Sequence, residues 1–241
     1  MSGHSHWAGI KHKKAIEDTK RAKVFTKIAS EITIAAQEAG GDTQTNIRLR
    51  FAMEKARGAN MPKENVERAI KRGIGQLKEG VRLEEVIYEA YGAGNIAMLI
   101  TATTDNKNRT LTNIKTTLKK NNGKFVPEGS VAFLFNKIGR IISKITPEER
   151  ESLELTAIDA GAEEIKTEKE KLIITTQPQD LEKISKAISQ TGAIIQSSEL
   201  TYEPQQTESP KKEDVESYKK LKELLLDDDD VQEIFDNLTI K

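Results

Sequence analysis

Cysteine is absent from the 241 residues. That removes disulfides, thiolate metal sites and a cysteine nucleophile, and it fits a reducing compartment. Histidine is nearly absent too. The three are His4, His6 and His12, all close to the start, together with Trp7, the one tryptophan. No run of apolar residues reaches the length needed to cross a bilayer, and the N-terminus lacks the apolar stretch of a secretory signal. A soluble, cytoplasmic protein with no membrane partner is expected. Enzyme signatures are missing as well: there is no P-loop, no G-x-S-x-G and no histidine pair at metal-binding spacing. No cofactor, resident metal, small-molecule substrate or catalytic residue is expected.

Net charge is zero, yet the charge is unevenly placed. Residues 1–80 hold 16 basic and 9 acidic side chains, residues 81–145 hold 10 and 5, and residues 146–241 hold 12 and 24. A basic front and an acidic back direct attention to a polyanionic partner for the front. Within residues 1–27, Lys11, Lys13, Lys14, Lys20, Arg21, Lys23 and Lys27 face only Glu17 and Asp18. Lys13, Lys20 and Lys27 recur every seven residues, as do Lys14 and Arg21, which makes a single stripe on a helix. From Lys13 to Lys27 it runs about 21 Å at 1.5 Å per residue. Phe25, Ile28, Ile32, Ala35, Ala36 and Ala39 form a separate apolar face. The expected helix spans residues 15–39, led by a flexible arm bearing His4, His6 and Trp7. A solvated helix face is the competing reading; the scarcity of acids in the stripe favours phosphate contact. Trp7 reads first as a staple of the arm to the helical domain, and second as a base-stacking group.

Gly40-Gly41 ends that helix, Asp42 or Thr43 offers a cap for a second, and Leu49, Ala52, Met53 and Ala56 give its dry face. Arg48, Arg50 and Arg57 lie around the rest and extend the candidate cationic surface. Pro62 opens a third helix with Val66, Ala69 and Ile70 inside, and Gly73 and Gly75 close it. After Gly80 the pattern turns β-rich. Gly92-Ala93-Gly94 matches G-x-G-x-x-A, but a strand follows where a dinucleotide fold needs a helix, so a hairpin turn is expected. Strands are expected over Ile96–Thr104 and Val131–Phe135, with a helix at 110–121 between them. Residues 139–203 read β-α-β-β-α-β, a ferredoxin-like order, with its first strand at Arg140–Ile145. The fold class expected is α+β: a helical N-terminal domain (1–79), an α+β domain made of 80–136 and 204–241, and a ferredoxin-like domain, 137–203, inserted in it.

Between a strand and a helix, Asn106, Lys107, Asn108 and Arg109 gather donors at a helix N-terminus. This is a possible second anion contact, against the plainer reading of a capped turn. Ser2-Gly3-His4 offers the donors of a square-planar copper or nickel site once Met1 is removed, and it reads as incidental. Asp227–Asp230 lacks the spacing and glycine of a calcium loop and reads as a solvated acidic stop.

Gly3-His4-Ser5-x-Trp7, Ile10-Lys11-His12-Lys13-Lys14, Phe25-Thr26-Lys27, Ala56-Arg57-Gly58-Ala59-Asn60-Met61-Pro62, Tyr88-Glu89-x-Tyr91-Gly92 and Asp105-Asn106-x-Asn108-Arg109-Thr110 closely resemble the YebC/PmpR family, along essentially the whole chain. The resemblance implies three lobes, one helical and two α+β. It also implies a non-enzymatic, DNA-binding transcriptional regulator. The alternative it carries is a ribosome-associated translation factor that binds ribosomal RNA and relieves stalling at difficult peptide sequences. This chain departs from the family at His6, where relatives usually have lysine, and at Gly9, where they tend to have asparagine. His6 ties part of the arm's charge to pH near an unperturbed pKa of about 6.5.

Overall fold

A computed structural model describes residues 3–77 and 82–239, with side chains from Glu17 onward. The side chains of His4, His6, Trp7, Lys11, Lys13 and Lys14, and all of Ser2, therefore lie outside the described residues. The protein is α+β, with a helical N-terminal part and two antiparallel four-stranded sheets.

Helix α1 spans Gly3–Ala39, so it begins well before the expected residue 15 and takes in the backbone of the expected arm. No proline interrupts the segment, and Gly9 alone costs only about 1 kcal/mol relative to alanine, too little to end a helix of this length. Ile28, Ile32, Ala35 and Ala36 are buried, packed with Leu49, Ala52 and Ala56 of α2 (Ile47–Gly58) and Ala69 of α3 (Lys63–Gly73). Gly40 ends α1 with φ of 84° and donates its N–H to Ala36 O at 2.9 Å. The cap of α2 is Asn46, not Asp42 or Thr43. Its Oδ1 accepts from Leu49 N at 2.9 Å while its amide nitrogen donates to Ala35 O at 2.7 Å and Gly40 O at 2.8 Å. One buried side chain thus ties the end of α1 to the start of α2; the Asp42 carboxylate has no donor for this and the Thr43 hydroxyl only one, where Asn46 uses two. Pro62 is the residue just before α3.

The first sheet has the order β3-β1-β2-β8. Its strands are β1 (Glu84–Tyr91), β2 (Ala97–Thr104), β3 (Lys124–Val126) and β8 (Val231–Asp236), with α4 (Lys107–Lys120) between β2 and β3 and α7 (Lys212–Leu226) before β8. The glycine pair at 92–94 is the expected turn: Gly94 and Asn95 have φ of 69° and 58°, and Gly92 N donates to Ile96 O at 2.8 Å. The strand expected at 131–135 is absent. Residues Ala132–Leu134 form a 3₁₀ turn, because the buried carboxylate of Glu89 takes the N–H groups a ladder would need. It accepts from Gly129 N at 2.6 Å, Val131 N at 2.6 Å and Ala132 N at 3.0 Å.

The second sheet uses β4 (Phe135–Lys144), β5 (Glu164–Glu168), β6 (Lys171–Thr176) and β7 (Ile194–Pro204), in the order β5-β6-β4-β7, with α5 (Arg150–Ala160) and α6 (Leu181–Gln190) connecting them. That is the strand order a ferredoxin-like β-α-β-β-α-β run produces. β4 starts at Phe135, earlier than expected, since Phe135 and Asn136 pair with Pro204 and Glu203. Ile141 lies opposite Ile174, and these two pack with Leu153 and Ala157 of α5 and Ile184 and Ile188 of α6.

By their contacts the residues group into two compact units. One contains 1–88, 100–121 and 219–234, and the other 89–99, 122–218 and 235–241. In the first, Leu221, Leu225 and Val231 are buried. In the second, Tyr218 is buried and donates its hydroxyl to Asp236 at 2.7 Å, with burial and that carboxylate both holding the phenol protonated.

Candidate nucleic-acid interface

The described part of the α1 stripe divides in two. Lys20 and Arg21 are exposed and make no ion pair among the described residues. One turn further on, Lys23 forms an ion pair with Asp227 and donates to the Asp227 carbonyl at 3.1 Å. Lys27 is half-buried and donates to Leu226 O at 2.7 Å. Burial lowers the pKa of Lys27, opposed by the charges of Asp229, Asp227 and Asp228. The acidic run at 227–230 is therefore not a bare stop. It meets α1 at the C-terminal end of α7, where the last helical carbonyls favour cations.

The α2 arginines have different surroundings. Arg48 pairs with Glu38 at 2.7 Å and also with Glu85. Burial opposes its charge, but the hydrogen bonds and charges of Glu85 and Glu38 outweigh it and hold the guanidinium above its ordinary pKa. Arg50 sits 5.6 Å from the centre of the Phe51 ring, a cation–π contact. Arg57 is exposed in the last turn of α2.

At the start of α4 the donors are largely engaged. Asn106 is the cap, its Oδ1 accepting from Arg109 N at 3.1 Å. The Lys107 ammonium lies 2.5 Å from Glu84. Arg109 pairs with Asp105 at 2.9 Å and Asp230 at 2.9 Å. Asp230 also accepts from the buried Thr110 hydroxyl at 2.6 Å. Asn108 is exposed and its carbonyl accepts from Thr112 at 2.8 Å. The loop is a capped turn with its cations paired inside the protein. Replacing Asp230 with alanine should cost about 2 kcal/mol, chiefly by leaving the Thr110 hydroxyl without its carboxylate acceptor; the Arg109 pair is half exposed and adds less. Chemical denaturation checks this, and an unchanged midpoint would contradict it.

The second sheet does not offer a stacking platform. Sheets that bind RNA place aromatic side chains on their central strands. Here the face away from α5 and α6 carries Arg140, Ile142 and Lys144 on β4 and Lys171, Ile173 and Thr175 on β6. Among the described residues, no helix is long and apolar enough to cross a membrane, and no group of His, Cys, Asp or Glu is arranged to hold a metal ion.

Residues 5–76 match the model of the TACO1/YebC protein N-terminal domain, and residues 83–238 match that of the TACO1/YebC second and third domain. The chain belongs to the TACO1/YebC family. A TACO1/YebC relative from Fervidobacterium nodosum, named a probable transcriptional regulatory protein, is 47% identical over 241 residues, covering 100% of this chain and 94% of its own length. One from Acidithiobacillus ferrooxidans with the same name is 45% identical over 240 residues, with 100% and 95% covered. The crystal structure of a conserved hypothetical protein from Aquifex aeolicus superposes with a TM-score of 0.80 at 39% identity, covering 98% of this chain and 97% of that one. The relatives' names describe regulatory proteins and not enzymes.

Three contributors escaped the sequence reading. Asp227 and Asp230 looked like solvent-facing charge, and only their sign, opposite to that of the α1 stripe, hinted at a partner. Asn46 was passed over as a cap, although an asparagine three residues before Leu49 is an ordinary cap signal.

Proposed function

We propose that the protein is a non-enzymatic nucleic-acid-binding regulator of gene expression, acting in the cytoplasm on DNA, with α1 as the element that meets phosphates. The observation that supports this most is the exposed pair Lys20 and Arg21, which make no ion pair among the described residues although Glu17 and Asp18 lie one turn before them. They continue the heptad of Lys13 and Lys14 on a helix whose opposite face is buried. The relatives' names point the same way. In this reading residues 1–79 form the nucleic-acid-binding domain. Residues 137–203 are a module inserted in the domain built from 80–136 and 204–241. Arg50, Arg57 and the arm residues His4, His6, Trp7 and Lys11 extend the contact. Arg48, Lys107 and Arg109 contribute less, since internal carboxylates already meet their charge.

A single cationic helix face grips the backbone and reads few bases, so affinity should depend strongly on salt and weakly on sequence. Replacing Lys13, Lys20 and Arg21 together with glutamate should flatten the log–log salt slope on duplex DNA by about 2.7, at 0.9 for each phosphate no longer neutralised. An unchanged slope removes α1 from the interface. The second reading, ribosomal RNA as the target, uses the same stripe and the same backbone chemistry. Offering labelled protein both duplex DNA and intact ribosomes at physiological salt separates the two: retention on DNA supports the first, and transfer to ribosomes the second.

A further inference from the structure

The acidic run 227–230 divides by task. Asp228 accepts from Asn113 at 3.2 Å and from Asp230 N at 3.0 Å, and Asp230 holds Arg109 and Thr110. These two serve the fold. Asp227 and Asp229 do not share that work. Both are exposed, the Asp227 side chain 67% so. Asp227 is directed at α1, where it pairs with Lys23, and the charges of Asp229, Asp227 and Asp228 all oppose the effect of burial on Lys27. We propose that the carboxylate of Asp227, with the charge of its exposed neighbour Asp229 beside it, acts as an internal stand-in for phosphate, occupying Lys23 at the end of the α1 stripe until a nucleic acid displaces it. This rests on the α1 reading above.

Magnitudes favour displacement. An exposed carboxylate–ammonium pair contributes about 0–1 kcal/mol, so releasing Lys23 costs the fold little. A phosphate backbone offers many charges and releases its counterions on binding, which a pair of fixed carboxylates cannot match at low salt. The two aspartates would therefore weaken binding without abolishing it, and discriminate against short or sparse anions that reach only Lys20 and Arg21. The plainer reading, lysines that simply cap the C-terminal end of α7, accounts for the Lys27 bond to Leu226 O. It does not account for the pairing of Lys23 with the Asp227 side chain.

The test compares the full-length wild type, Asp227→Asn/Asp229→Asn, and Glu151→Gln/Glu182→Gln. The last removes the same charge from exposed positions on α5 and α6. Duplex DNA is titrated at several salt concentrations. The aspartate variant should bind roughly five- to tenfold more tightly near 50 mM salt. Its salt slope should be steeper by up to about 0.9, one phosphate at Lys23, and the advantage should fade as salt rises. The glutamate variant should match the wild type. Equal tightening by both variants would make the effect one of net charge and overturn the proposal. So would wild-type affinity in the aspartate variant. If neither wild type nor variant binds DNA or ribosomes, the α1 reading itself falls. Amide exchange on the wild type gives an independent reading should the variant fail to fold: residues 226–229 should exchange faster when DNA is bound, and unchanged or slower exchange overturns the proposal.

Discussion

Replacing Glu89 with alanine should lower stability by about 3 kcal/mol and the melting temperature by about 6–12 °C. The carboxylate is 3% exposed and accepts three backbone N–H groups, from Gly129, Val131 and Ala132. Hydrogen bonds to a charged acceptor contribute about 1.5–3 kcal/mol each, and a buried donor left alone costs a similar amount. Water can reach Gly129 and Ala132, both exposed, whereas Val131 is fully buried. The estimate therefore rests on one orphaned donor and part of the other two. Glutamine in place of Glu89 keeps one acceptor and turns an amide donor toward N–H groups, so it should fall between wild type and alanine. Thermal unfolding gives the ranking. Amide exchange at 129–134 should show the loss concentrated there, since this turn presents Phe133, 65% exposed. A uniform loss across the chain would mean that Glu89 does not hold this turn.

Gly73→Ala should destabilise by about 2 kcal/mol, against the usual gain from removing glycine from a helix. A Cβ at Gly73 would collide with the carbonyl oxygen of Thr33 and lie 2.7 Å from the Ala36 Cβ and 3.1 Å from Gln37 N. These are groups of α1, two of them backbone, so they cannot swing away. Overpacking of this kind costs about 1–3 kcal/mol. Helix propensity returns at most about 1 kcal/mol, and less at the last residue of α3. The clash wins unless α3 moves off α1, which would also expose Ala69 and loosen the Thr33 hydroxyl from its 3.2 Å bond to Ala69 O. A urea midpoint equal to or above that of the wild type would show that the two helices have room to spare.

The apolar periodicities were the legible part of the sequence. Ile28, Ile32, Ala35 and Ala36, or Leu49, Ala52 and Ala56, fall at helical spacing because one face of each helix must be dry, and all seven are buried. The ferredoxin-like order of the second sheet was legible for the same reason: short apolar runs alternate with two amphipathic helices. What remained hidden depends on groups distant in sequence. Val131 to Phe135 is as apolar as any strand, and only the Glu89 carboxylate, some forty residues earlier, diverts it into a turn. Asn136 to Gly139 fall between the two expected strands, 131–135 and 140–145, yet β7 extends the ladder through them. At Asn106–Arg109, the possible second anion contact, Lys107 and Arg109 pair with Glu84 and Asp230, one preceding the loop in the chain and one far beyond it. Charge has no period, so no local pattern could reveal those pairings.

The chain order of these pairings has a consequence for how the protein is made. β2 and β8 are neighbours in one sheet, with Thr101 accepting from Glu233 N at 3.1 Å. The whole second sheet, residues 135–204, is synthesised between them. That module draws its strands from one continuous stretch and can close while the chain is still being extended. The first sheet cannot add β8 until residues 231–236 have left the exit tunnel. α1 is built before the second sheet, and Asp227 after it. A nascent chain therefore carries Lys23 and Lys27 without their partners at 226 and 227 while about two hundred residues are added, beside the ribosomal RNA from which it is emerging.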